Sequence, residues 1–106
     1  MQKRYSQMTP EELQAEMKSL QQLGQEAFDN ARWSEYEVHM KKWYLAKSYL
    51  IRDTVHIELG RSYRIAEEDD HLTVSHLEGV MAWGTRASNA ASAAVPIAML
   101  EAPDEA

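Results

Sequence analysis

The chain of 106 residues contains no cysteine. That excludes disulfides, thiolate metal ligands and thiol nucleophiles, and it fits a reducing compartment. Glycine is scarce, with four residues, and none falls in a G-x-G-x-x-G or G-x-x-x-x-G-K-[ST] pattern. The backbone cradle that holds a nucleotide phosphate is therefore missing. No G-x-S-x-G elbow presents a serine for attack. No run approaches 18 apolar residues, and the basic start, MQKRYSQMTPEEL, has no apolar segment behind it. Neither a membrane span nor a signal peptide is expected, and the expected address is the cytoplasm.

Positive charge is short in one half. Residues 54–106 hold three Lys/Arg against nine Asp/Glu, whereas residues 1–53 hold eight of each, so the second half carries the whole net charge of −6. Affinity for nucleic acid rests mainly on cations that neutralise phosphates. The second half could supply it only if Arg61, Arg64 and Arg86 gather in one place.

What is present begins with a helix start. Thr9 is an N-cap, Pro10 occupies the first helical position, and Glu12 completes a capping box. Met8 and Leu13 are spaced for a hydrophobic staple. Leu13, Met17, Leu20, Gly24 and Ala27 recur at steps of three and four and form one helical stripe. Gly24 either admits a close neighbour or weakens the helix. Asp29-Asn30 marks a break. Ser34 with Glu37 offers a second capping box for a helix that runs to about Ile51. Trp33, Tyr36, Met40, Trp43, Lys47 and Leu50 line one side of it; Val38, Leu45 and Tyr49 form a second stripe. A surface helix needs one apolar face. This one has more, which predicts two neighbours: the first helix, and either the second half of the chain or a second copy. A homodimer through this helix is one expectation.

The second half reads as short strands. Leu59-Gly60 is a turn, and Tyr63 and Ile65 share a face of the strand that follows. Glu67-Glu68-Asp69-Asp70 reads as a solvated acidic turn. Strict alternation puts Leu72, Val74 and His76 on one face and Thr73, Ser75 and Leu77 on the other. Gly79 supports a tight hairpin turn. Met81, Trp83 and Thr85 then alternate with Val80, Ala82 and Gly84. Residues 87–93 read as a small-residue loop, and residues 95–100 as a last strand at an edge, because Pro96 cannot donate to a ladder. The final APDEA reads as a frayed tail. The expected fold class is α+β: an antiparallel two-helix hairpin over residues 1–53, then an SH3-like small β-barrel over residues 54–106, as interdependent lobes.

The segments KRYSQMTPEEL, LGRSYRI, HLEGVMAWG and VPIAML, in that order, resemble the YfhH family of small proteins from Bacillus and its relatives. The resemblance spans nearly the whole chain and is most specific in KRYSxMTPxEL and G-V-x-A-W-G. It implies a helical pair joined to an SH3-like barrel. It implies no activity and transfers no catalytic or binding residue.

Chemistry is thin. His71 and His76 lie five apart on one predicted strand, so alternation sends them to opposite faces and away from a shared metal. Glu35 and His39 are one helical turn apart and suit a surface pair. The run EEDDH lacks the spacing and glycine of a calcium loop. No cofactor and no catalysis are expected. The first functional expectation is a protein-interaction module, since small barrels present aromatic grooves to peptides. Its candidate residues are Tyr63, His76, Trp83 and Arg86, and its acidic rim favours a basic partner. Trp83 reads first as barrel core, with the groove as the alternative. The second expectation, of lower rank, is nucleic-acid association through Lys3, Arg4, Lys41, Lys42, Lys47 and Arg52, should these converge.

Overall fold

The structure, a computed structural model, describes residues 3–101. The expected frayed tail lies outside the described residues. The chain divides into two compact units that meet at Asp53 and Thr54.

In the first unit a 3-10 turn (Tyr5–Gln7) precedes helix α1 (Pro10–Asp29) and helix α2 (Trp33–Ile51). The start of α1 follows from its sequence. Thr9 Oγ1 accepts from the Glu12 N–H at 3.2 Å, and Glu12 Oε1 accepts from the Thr9 N–H at 3.1 Å, a complete capping box with Pro10 behind it. The stripe packs as its spacing requires: Leu13, Leu20, Gly24 and Ala27 are buried. Gly24 marks a close approach of the two helices. A Cβ built there would stand 3.3 Å from Met40 Sδ.

The end of α1 sets the start of α2. The N–H of Ala31 donates to Phe28 O at 3.1 Å, and that of Arg32 donates to Ala27 O at 2.8 Å. This pair of bonds, closed by a residue in the left-handed region, is a Schellman motif. Ala31, at φ 56°, holds the position that glycine usually takes. The chain is then already aimed into a helix, and α2 begins at Trp33 with Arg32 as its N-cap. The capping box expected from Ser34 and Glu37 does not form, because Ser34 lies inside the first turn. Phe28 packs edge-on against Trp33 and Tyr36, with ring centroids 5.2 and 5.5 Å away, and closes the tip of the hairpin.

The second unit is a five-stranded antiparallel sheet. Its strands are β1 (Ser62–Ile65), β2 (His71–Glu78), β3 (Met81–Arg86), β4 (Ser92–Pro96) and β5 (Leu100–Glu101), in the order β4-β3-β2-β1-β5. The last strand was expected over residues 95–100. Instead β4 starts inside the small-residue segment, and Ile97–Met99 forms a 3-10 turn that carries the chain back to β1. Pro96 ends β4, which lies at the sheet edge, where its missing N–H does no harm. One face collects Tyr63, Ile65, Leu72, Val74, Ala82 and Val95, all buried. Full burial of Ile65, Leu72 and Val74 contributes about 1.5–3 kcal/mol each.

Strict alternation fails at one place. The pairing runs Leu72↔Arg86, Thr73↔Thr85 and Val74↔Gly84, then continues His76↔Trp83, Leu77↔Ala82 and Glu78↔Met81. Ser75 is left over as a β-bulge, and every residue after it changes face. His76 therefore does not join Leu72 and Val74. It points outward with Trp83, on the same side as His71 and Thr73. The expectation that His71 and His76 lie on opposite faces is overturned for the same reason. Gly84 lies opposite the start of the bulge. A Cβ there would overlap the Thr73 carbonyl oxygen and come within 2.8 Å of its carbon. The hairpin turn is Gly79-Val80, with Gly79 at φ 59°, as a type II′ turn requires at its first central residue.

Gly84→Ala is expected to destabilise the protein by about 2 kcal/mol or more, because the clashing atoms are backbone and cannot rotate away. Urea unfolding followed by circular dichroism checks this. Ala82→Gly, which removes a methyl at the neighbouring inward position, provides the comparison.

Candidate functional site

The bulge brings His76 to the outward face of the sheet. His76 and Trp83 are cross-strand partners, and their rings lie parallel, 5° apart in tilt and 5.8 Å between centroids. Both are exposed, Trp83 at 38%. Trp83 is thus not a core residue. It sits on the face opposite Ala82 and Gly84, where alternation along β3 places it.

Ser75 locks this pair in place. Its hydroxyl donates to Trp83 O at 3.2 Å and lies 3.3 Å from His76 Nδ1. A serine has one proton to give. With that proton on the carbonyl, Ser75 Oγ faces His76 Nδ1 as an acceptor. Next to the stack, Ser62, Thr73, Thr85 and Ser92 are register partners across four strands and form an exposed row of hydroxyls. Beyond Trp83, its partner on edge strand β4 is Ala94, whose small side chain leaves the indole open toward the edge.

The other two candidates are placed differently. Tyr63 is 6% exposed, and its hydroxyl accepts from the Glu58 N–H at 2.9 Å. It faces the interior because it shares the parity of Ile65, so it does not join the His76–Trp83 face. Arg86 is committed within the unit: Nη1 donates to Glu68 Oε1 at 2.6 Å and to Asp70 Oδ2 at 3.2 Å. Arg61 pairs with Glu58 at 3.0 Å, and Arg64 lies 3.9 Å from Glu101. All three arginines of the second half thus pair with acids, and they do not gather into a cationic patch.

Asp70 corrects the reading of the acidic turn. It is buried, at 9% exposure. Its Oδ1 accepts from the backbone N–H groups of His71 and Ser88 at 2.8 and 3.0 Å, and its Oδ2 accepts from Ser88 Oγ at 2.7 Å and from Arg86. One carboxylate so ties the β1–β2 turn to the β3–β4 loop. The Ser88 hydroxyl, the backbone N–H groups and Arg86 favour its charged form and outweigh burial, so its pKa falls from the ordinary 3.8 to about 2. Its oxygens are spent on protein donors and are not offered to a cation. Among the described residues no group of three His, Asp or Glu side chains is arranged to hold a metal ion.

In the helical unit, Glu35 pairs with Arg32 at 3.3 Å and not with His39, whose Nδ1 is buried without a hydrogen-bond partner. The six basic residues divide. Lys3, Arg4 and Lys42 line one groove, Lys41 is exposed and not part of that lining, and Lys47 lies over the Trp43 ring at 5.1 Å and Arg52 over the Tyr49 ring at 5.8 Å. Among the described residues no helix is long and apolar enough to cross a membrane.

The fold defines an α+β protein in which a capped helical hairpin precedes a five-stranded antiparallel sheet. A family model described as "Protein of unknown function (DUF1811)" matches residues 3–101. The chain belongs to this family. It is 38% identical over 102 residues to the uncharacterized protein YfhH of Bacillus subtilis (strain 168), a match that covers 95% of this chain and 97% of that protein.

The Asp70 network sets an acid limit. A carboxylate with a depressed pKa in the folded state stabilises fully above its unfolded value, near 3.8, and loses that contribution as pH falls through about 2. Asp70→Asn is therefore expected to be less stable than the parent at neutral pH, and the gap should narrow between pH about 4 and about 2. Urea midpoints measured from pH 6 downward check this; a constant gap contradicts it.

Proposed function

We propose that the protein is a non-catalytic interaction module whose sheet closes as an SH3-like barrel and whose outward face receives an extended, basic segment of a partner protein. The strand order supports the barrel: a four-strand meander, then a 3-10 turn, then a fifth strand returned to the first. This part of the argument is fold analogy. The observation that carries the function is the exposed His76–Trp83 stack, bridged by Ser75 beside the edge strand β4. An exposed aromatic pair supplies contact area at little entropic cost, and an edge strand offers backbone groups to an extended chain. Charge selects the partner. With Arg61, Arg64 and Arg86 each paired to an acid, the excess carboxylates of the second half favour a cationic segment, with on-rates that fall as salt rises.

The test places a photo-crosslinking residue at Thr85, on the same face, in the native cell. The expected result is a crosslinked basic protein whose yield falls at least about tenfold in Trp83→Ala, a loss of the size seen when an interface anchor is truncated. That variant should keep the melting temperature of the parent within about 2 °C, as an exposed residue permits. Retained crosslinking in Trp83→Ala contradicts the reading. A crosslink only to a second copy of the chain assigns the face to self-association instead.

A further inference from the structure

We infer that the helical unit carries a binding groove for a small amphipathic anion, a single carboxylate or phosphate head on an apolar tail. The groove lies wholly within the first unit and is independent of the sheet face. The N-terminal segment lies against both helices and forms one wall of an open groove of about 710 Å³. That falls within the range of ordinary small-ligand sites. The strap is fixed by Tyr5, whose hydroxyl donates to Glu16 Oε2 at 2.9 Å, and by Lys3, which pairs with Glu12 at 3.1 Å.

The lining has two chemistries. Leu20, Leu23, Leu45 and Tyr49 supply an apolar floor. Leu23 stays 43% exposed there, a large apolar side chain left uncovered beside the strap. Arg4 and Lys42 supply the charge: both line the groove, and neither has an ion-pair partner among the described residues. Arg4 and Lys42 thus place two positive charges beside the apolar floor. His39 forms part of the same wall, and its Nδ1 is the buried side-chain polar atom that lacks a hydrogen-bond partner among the described residues. Glu16, the one carboxylate in the lining, accepts from Tyr5. An anionic head satisfies Arg4 and Lys42, and a tail covers Leu23. An inorganic anion would leave the floor exposed, and a neutral amphiphile would leave the cations unmatched.

The experiment titrates the full chain, carrying labelled leucine methyl groups, with decanoate below its micelle concentration, with inorganic phosphate and with 1-octanol. Saturable shifts at Leu20, Leu23 and Leu45 are expected with decanoate, and much weaker binding with the other two. In Arg4→Gln/Lys42→Gln, decanoate affinity should fall at least about tenfold, the scale of a lost charge-assisted contact. Both residues are exposed and unpaired, so the melting temperature of that variant should match the parent. Leu23→Glu, a surface change in the floor, should weaken decanoate to a similar degree. No saturable shift overturns the inference, as do phosphate or octanol binding as tightly as decanoate and affinity unchanged in the double variant.

Discussion

The β-bulge at Ser75 is the constraint on which the functional face depends. Alternation along β2 buries Leu72 and Val74. Continued without interruption, it would turn His76 inward with Leu72 and Val74 and Leu77 outward with Thr73. The extra residue resets the parity, so that His76 meets Trp83 on the outward face and Leu77 meets Ala82. Gly84 makes the reset sterically possible, since the Thr73 carbonyl occupies the place of its side chain. Ser75 then uses its hydroxyl to bridge the carbonyl of Trp83 and the ring of His76. Backbone irregularity, glycine and aromatic stack are one device.

The rest of the sheet holds that device still. Asp70 accepts from the backbone at His71, where β2 begins, and from Ser88 just after β3, so it fastens the two ends of the hairpin opposite Gly79. Arg86 completes the clamp. A buried carboxylate is tolerated because all its partners are in place; with fewer donors its desolvation would count against the fold. The face and its support thus divide the candidates. His76 and Trp83 present chemistry outward, while Tyr63 and Arg86 hold the frame.

Local features were legible in the sequence and distant ones were not. The Thr9-Pro10-Glu12 start, the Leu13–Ala27 stripe and the Gly79 turn each lie within a few residues, and each formed as read. The Ser34 box was equally local, yet it lost to the turn at Ala31, where a non-glycine residue takes the left-handed conformation that sequence patterns assign to glycine. The bulge left no periodic trace, because one added residue looks like ordinary alternation on either side of it. Asp70 read as a solvated charge because its partners lie 16 and 18 positions along the chain. Gly84 was visible as a glycine in a strand, a known signal of close backbone approach. That signal and the bulge across from it belong together.

The central claim is that Trp83 lies on the outward face and that the bulge brings His76 out to stack over it. Fluorescence of the chain with Trp33 and Trp43 replaced by phenylalanine tests it directly, since Trp83 is then the sole indole. The account predicts emission that acrylamide quenches readily, and stronger quenching in His76→Ala, where one face of the ring is uncovered without loss of stability. Blue-shifted emission shielded from the quencher, with unfolding caused by His76→Ala, would place the tryptophan inside and contradict the account.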